Sequence, residues 1–418
     1  MLAMQQALHN LTTWASTWKI TFSSSKTQMV IFHAAASLPP AWNIFKLTLS
    51  HFSIAIVDTY TYLGLILHKR LDWTPHIKEI IRKATATSHH IARLAFYTVK
   101  SRPSLPVIRQ LIHTVLITKI AYALPFISLP RNPQHTLMLQ LKRLLVIPLR
   151  RSLGLPHNAH HDSVFIETRT LPIPYLQLYH TLLFARRYIK QASTASQQRE
   201  RYQQLFSKSL FEITSLLPTN PLFAIAVRCR IMSCPITSTI PRLLRARNDQ
   251  LWDAVFDRFY HEWYRPQHPA TRTSPDNTHS LFPCYQLMPV MPNNSLPSYF
   301  RLLSPSVASI VSRLRFNRAR LNQSLNKRHV SPSDKCPTCT DVVETVEHVV
   351  MSCPRYDAAR FACFCHLSAI TKQPPLSASF PFPFLLCSFP PDVINAHATQ
   401  FVRIVGTFLS SVQRMRNM

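Results

Sequence analysis

The chain has 418 residues, with 47 Lys plus Arg against 18 Asp plus Glu, a formal net charge of +29, and 33 prolines beside only three glycines. A hydrophobic fraction of 46% excludes a mostly disordered chain. Gly64, Gly154 and Gly406 lie too far apart to build a P-loop or a dinucleotide loop, and no two acidic residues are adjacent or one position apart, so two-metal phosphoryl transfer has no local carboxylate pair.

Taken in order, residues 1–18 read as an amphipathic helix with Leu2, Leu8, Leu11, Trp14 and Trp18 on one side. Short strands follow at 29–32 and 46–50, separated by a loop carrying Pro39 and Pro40, and a β-prone run covers 60–67. The first 68 residues therefore predict a small α/β unit. Beyond residue 70 the period is helical, so the fold class is mainly α. Helices are expected at 75–99, with Pro75 in the first turn, and at 106–124, 134–147, 174–192, 198–216 and 248–264. The last puts Leu251, Val255, Phe259 and Trp263 on one face, and Asp249, Asp253 and Asp257 on another that reads as solvated and paired with arginines.

A stretch rich in Pro, Ser, Thr and Asn at 266–298 reads as a linker or long loop. A basic helix is expected at 305–328, carrying Arg313, Arg315, Arg318, Arg320, Lys327 and Arg328. A Cys/His cluster occupies 331–356, a Pro/Ser/Phe-rich stretch 373–391, and a last helix about 392–415. The most apolar window, 111–129, contains His113, Lys119 and Pro125 and predicts a buried helix rather than a membrane span. No lipidation signal is present, so no membrane partner is expected. Nine unevenly spaced cysteines and an N-terminus without a signal-peptide pattern point to a reducing, intracellular setting.

Arginine outnumbers lysine 33 to 14. Guanidinium groups fork onto phosphates and stack on bases, so this charge balance points to a nucleic-acid partner. The basic residues of 305–328 are the candidates for phosphate contacts. The sharpest chemical signal is Cys336-x2-Cys339-x8-His348-x4-Cys353, whose two short spacings can deliver four ligands to a tetrahedral, structural Zn2+. Cys363, Cys365 and His366 lie nearby as alternative ligands, while Cys229, Cys234, Cys284 and Cys387 read as buried thiols.

These motifs together resemble a known family. Trp14 and Trp18, the turn Ser23-Ser-Ser-Lys26-Thr27, the strand at 29–32, Tyr62-Leu63-Gly64 and Leu71-Asp-Trp-Thr-Pro-His-Ile77 resemble the segment that follows the catalytic Asp-Asp in reverse transcriptases of non-LTR (LINE-type) retrotransposons. The Cys336–Cys353 cluster, with Glu344-Thr345 and Glu347-His348 inside it and Cys353-Pro354-x-Tyr356 at its end, resembles their terminal CCHC knuckle.

The resemblance implies a palm remnant over 1–68, a helical thumb-like region over 69–160, a connector over 161–265, a linker over 266–304, a basic helix with zinc knuckle over 305–360 and a Pro/Phe-rich tail over 361–418. It also implies that Tyr62, Leu63 and Gly64 match a primer grip, that Lys26 matches the motif D lysine, and that the nucleic acid is RNA or an RNA–DNA hybrid with a DNA target. A nuclear location follows from the family alone. Ser23 stands where the family usually has Asn. The family's catalytic aspartates lie upstream of the matching segment, so no catalytic residue is expected beyond Lys26. Mg2+ is expected only for the intact polymerase, no small-molecule substrate is expected, and the chain should not polymerise alone. A stand-alone nucleic-acid-binding zinc protein and a decayed element copy are the other readings.

Overall fold

The computed structural model describes residues 2–33, 46–95, 103–127, 129–130, 132, 134–194, 246–264, 296–375, 380, 384–387 and 391–416. The expected helix at 198–216, most of the stretch at 266–298, and Cys229, Cys234 and Cys284 fall outside these residues.

The N-terminal unit comprises helix α1 (Leu2–Thr17) and three two-stranded pairings. Strand β1 (Gln28–Met29) runs parallel to β4 (Ala55–Ile56), and β2 (Thr48–Leu49) pairs antiparallel with β3 (Phe52–Ser53). The Gln5 amide joins α1 to β2 like a strand neighbour, donating to the Thr48 carbonyl and accepting from the Thr48 N–H, each at 3.0 Å. The helical spacing of Leu11, Trp14 and Trp18 is real, but all three side chains are exposed, whereas Ala15, Leu47 and Leu49 are buried.

The β-prone run at 60–67 is not one strand. It folds into a hairpin of β5 (Thr59–Tyr62) and β6 (Leu65–His68), with Tyr62 opposite Leu65. The two residues between have φ of 49° at Leu63 and 84° at Gly64. Positive φ at both central positions defines the mirror-image turn whose twist suits a hairpin. Leucine is strained there, and the Tyr122 hydroxyl holds the turn by donating to the Leu63 carbonyl. A Cβ on Gly64 would sit 3.3 Å from the Tyr122 ring.

The main body is helical, as expected. Helix α2 (Thr74–Leu94) carries Pro75 in its first turn and buries Ile77, Ile80, Ala84 and Ile91 at helical spacing. It packs on α5 (Thr136–Ser152), where the buried Ser88 hydroxyl donates to the Leu144 carbonyl at 2.7 Å. Between them α3 (Leu105–Leu111) passes through a π-helical segment, Ile112–Ile117, into α4 (Thr118–Ala121). Helix α5 outruns its expected end because Pro148 sits inside it, buried, rather than stopping it. Helix α6 (His161–Glu167), too short for a clear period, is unexpected. Helices α7 (Ile173–Thr194) and α8 (Asn248–Tyr264) agree with the sequence pattern and meet through Tyr179 and Trp252, edge to face with centroids 5.0 Å apart.

Three C-terminal helices close the core: α9 (Tyr299–Leu302), α10 (Pro305–Arg315) and α13 (Pro391–Arg416). Gly406 lets α13 approach, since a Cβ there would meet Leu303 Cδ2 at 2.5 Å. Buried side chains from Ile77 to Val412 form one contiguous cluster. The expected helix at 305–328 is broken. Asn317 adopts φ of 49°, and the Arg318 N–H returns to the Arg313 carbonyl at 2.8 Å, so a left-handed cap ends α10. The short α11 (Asn322–Asn326) follows.

At the centre of this body Glu167, Tyr299 and Arg315 are each 0% exposed. Arg315 grips Glu167 with two nitrogens, at 2.9 and 3.2 Å, and donates a third bond to the Leu386 carbonyl at 2.8 Å. The Tyr299 hydroxyl donates to the same carboxylate. Burial, followed by the charge on Glu167, raises the Tyr299 pKa well above its ordinary value, so the phenol stays a donor. Removing one partner strands the other charge. We expect Arg315→Leu to cost about 3–5 kcal/mol in urea unfolding, and the double change Glu167→Leu/Arg315→Leu to recover most of that. A single variant as stable as the wild type would refute this account of the pair.

Candidate metal centre

The segment from Asp334 to Tyr356 builds the four-residue cluster from two turns. The first is a tight knuckle. Lys335 and Val343 form an isolated antiparallel bridge, the Cys336 N–H donates to the Val342 carbonyl at 2.8 Å, and the Val342 N–H donates to the Cys339 carbonyl at 2.8 Å. This loop folds Cys339 back beside Cys336. The second turn begins where the Thr345 hydroxyl accepts from the His348 N–H at 2.9 Å, a helix-starting cap.

The second spacing depends on an irregular helix. Five residues of α-helix rotate by about 500°, which would leave the His348 and Cys353 side chains about 140° apart. Instead His348–Ser352 is π-helical, and the Cys353 N–H donates to the His348 carbonyl at 2.8 Å. This wider i→i+5 ring brings both ligands to one side. The sequence spacing suggested a pair about one helical turn apart, and the π-turn is the geometry that makes it work.

The ligand atoms of Cys336, Cys339, His348 and Cys353 all lie within 4.8 Å of one another. Cys336 and Cys353 Sγ are 3.8 Å apart. Cys336, His348 and Cys353 are buried and Cys339 is half-buried. His348 Nε2 is buried with no hydrogen-bond partner, the state of a nitrogen whose natural partner is a cation. The thiols point the same way. Burial, then the neighbouring Cys336 charge, raises Cys339. Burial first, with Cys336 and Cys339 behind it, pushes Cys353 up to about 12. At Cys336 burial is outweighed by the N–H groups of Cys339 and Thr338 and by the other thiols, so its pKa falls. Three sulfurs this close cannot all ionise without a positive ion among them, and a bound divalent cation removes that penalty.

Three side chains outside the ligand set hold the knuckle. Buried Glu344 accepts from the Asn322 N–H at 2.6 Å, tying the start of α11 to the cluster, while the Asn322 amide donates to the Lys335 carbonyl at 2.7 Å. Arg360 reaches back from α12 (Asp357–Thr371) to the Val350 carbonyl at 2.9 Å and the Cys353 carbonyl at 2.7 Å, and pairs with Asp357 at 2.6 Å. The sequence reading passed over Arg360. Its signal was there, as the one cation in an otherwise apolar run from Ala358 to Cys365.

The other candidates separate. Arg315 is not a surface residue: the buried ion pair with Glu167 consumes it. Arg313 is half-buried, and its Nε donates to the Gly154 carbonyl at 2.9 Å. Arg318 is half-buried, while Arg320, Lys327 and Arg328 are exposed. Burial, then the neighbouring Arg320, lowers the Arg313 pKa, and burial followed by Arg328 does the same to Arg318, so these cations crowd one another. Lys26 is exposed in a turn at 24–26, and Tyr62 and Leu63 are exposed at the hairpin tip with Gly64. Among the described residues Cys363, Cys365 and His366 join no metal-binding group, and neither do Asp249, Asp253 and Asp257. Cys363 and Cys387 are buried thiols, and Asp249 pairs with Arg247 at 3.1 Å. No described helix is long and apolar enough to cross a membrane.

Partners that orient ligand-bearing turns typically carry 10–100-fold of metal affinity. We expect Arg360→Gln to weaken divalent-metal binding by about that factor in chelator competition, with Cys336, Cys339, His348 and Cys353 intact; unchanged affinity would show that Arg360 does not position the site. No family model, curated protein or solved structure matches this chain, so the cluster geometry and the sequence motifs carry the functional argument.

Proposed function

We propose that this chain is a nucleic-acid-binding protein built around a structural zinc knuckle, and that it corresponds to the substrate-holding, C-terminal part of a LINE-type reverse transcriptase. The observation that carries the reading is the cluster of Cys336, Cys339, His348 and Cys353, preceded by the exposed cations Arg320, Lys327 and Arg328. Three thiolates and one imidazole are a soft to borderline set, which selects Zn2+ over Mg2+ or Ca2+. Four protein donors leave no open position for water or substrate, so the ion would be structural.

The exposed cations suit a phosphate backbone, RNA or an RNA–DNA hybrid in this reading. Phosphate contacts supply affinity and register without reading sequence. The chain has no two acidic residues within two positions of each other to hold a pair of Mg2+ ions, so its role is to hold substrate rather than to polymerise. A nuclear location belongs to the same proposal.

Purified protein should contain about one zinc per chain, lost in Cys336→Ser, as elemental analysis would read. Fluorescence anisotropy with labelled RNA should give a log–log salt slope that falls by about 2–3 in the triple variant Arg320→Gln/Lys327→Gln/Arg328→Gln. Primer extension with Mg2+ should yield no product. Robust synthesis by this chain would overturn the reading, as would RNA affinity independent of salt.

A further inference from the structure

The four donors are divided between two halves of the fold. Cys336 and Cys339 stand on the first turn, where the backbone of each bonds to Val342. Glu344 and Asn322 tie that turn to α11. His348 and Cys353 flank the π-turn, which Arg360 ties to α12 through the Val350 and Cys353 carbonyls. The ligand atoms meet where the halves meet. Cys336 and Cys353 Sγ are 3.8 Å apart, and all four donor atoms lie within 4.8 Å of one another.

Sulfurs this close have a second chemistry besides metal binding. A sulfenic acid beside another thiol condenses to a disulfide. Access selects the sulfur that reacts first. Cys336 and Cys353 are 3% and 1% exposed, whereas Cys339 is half-buried and so reaches solvent. A bound divalent cation keeps its thiols deprotonated, and the thiolate is the nucleophile. Chain geometry then selects the partner. Cys336 lies on the same hydrogen-bonded knuckle as Cys339, while Cys353 is held to α12. Joining Cys336 to Cys339 closes the shorter loop and leaves both halves anchored where they are. Cys365 is exposed as well, but among the described residues it joins no such cluster.

We propose that Cys336 and Cys339 form a peroxide-sensitive pair whose oxidation to a disulfide releases the metal. The Cys339 sulfur attacks hydrogen peroxide, the O–O bond breaks, and the departing hydroxide takes up a proton as water. The Cys336 sulfur then attacks the Cys339 sulfenic acid. The S–S bond forms, the S–O bond breaks, and the hydroxyl leaves with a second proton as water. The two thiolates lose two electrons and the peroxide gains them. His348 and Cys353 are then the remaining two of four donors, too few for a closed structural site. Reduction by a dithiol restores all four. This rests on the zinc-knuckle reading above and adds regulation to it.

The test uses the full, zinc-loaded chain, hydrogen peroxide in small excess, and a chromogenic zinc chelator. Wild type should release about one zinc per chain, and dithiothreitol with added Zn2+ should reload it. After alkylation, trypsin and Glu-C separate Cys336–Glu344 from the peptide carrying Cys353. The first should be two hydrogens lighter and unalkylated, and Cys353 should carry the alkyl group. Cys339→His keeps four donors without the accessible sulfur, so it should hold its zinc at the peroxide dose that empties the wild type. Release from Cys339→His at the wild-type rate would overturn the proposal, as would a disulfide mapped to Cys353. Zinc retained at a dose that oxidises Cys365 would also overturn it and leave the zinc reading standing. A chain that takes up no zinc at all would sink both.

Discussion

The ion pair between Glu167 and Arg315 constrains the rest of the helical body. Its two charges come from segments 148 positions apart and are both fully buried. Taking each out of water costs several kcal/mol, and attraction alone rarely offsets that. Here further hydrogen bonds help to offset that cost. Arg315 reaches the Leu386 carbonyl, and the Tyr299 hydroxyl serves the carboxylate. The arrangement therefore exists only when α6, α9, α10 and the 384–387 turn are all in place. A buried pair of this kind specifies one assembly of helices among many that would hide similar apolar area.

The basic segment that follows α10 inherits this constraint. It starts at Arg315, held by Glu167, and its short helix α11 starts at Asn322, held by Glu344. Glu344 belongs to the Cys/His loop, between Cys339 and His348. So two buried carboxylates, from opposite sides, fix the ends of a stretch whose intervening side chains include Arg318 and Arg320. This is a use for acids in a chain that has few of them. They anchor the backbone that displays the cations and leave the exposed charge unneutralised. The Glu344 N–H also donates to the Asp334 carbonyl at 2.8 Å, so the same residue ties the Cys/His loop back on itself.

Much of this was legible in the sequence, for identifiable reasons. Long helices with a clear period, such as α2, α7, α8 and α13, announce themselves because one face alternates with water over several turns. The four metal ligands are legible because metal coordination imposes spacing on residue types that are otherwise rare together. What the sequence hid is local backbone chemistry that competes with period. A leucine in a left-handed turn concealed the hairpin at Leu63, where glycine or asparagine would have signalled it. Asn317 did carry such a signal and divides the expected basic helix, a break that helical charge spacing alone passes over. The π-turn between His348 and Cys353 has no sequence signature beyond the ligands it serves. Arg315 was misplaced because nothing in a linear reading distinguishes an arginine bound for phosphate from one bound for a distant glutamate.

That last distinction sharpens what a net charge of +29 means. Composition counts Arg315, Arg360 and Arg320 alike, yet they do different work. Arg315 and Arg360 are buried and fix backbone and carboxylates, so they add nothing to the field outside the protein. Arg320, Lys327 and Arg328 stand in solvent, where their charge faces outward. The functional charge is thus smaller than the formal one but more ordered, because part of the arginine set is used to hold the rest in position. A buried guanidinium gripped by a carboxylate, as at Arg315, or gripping carbonyls, as at Arg360, fixes the backbone around it and so sets where the neighbouring exposed cations stand.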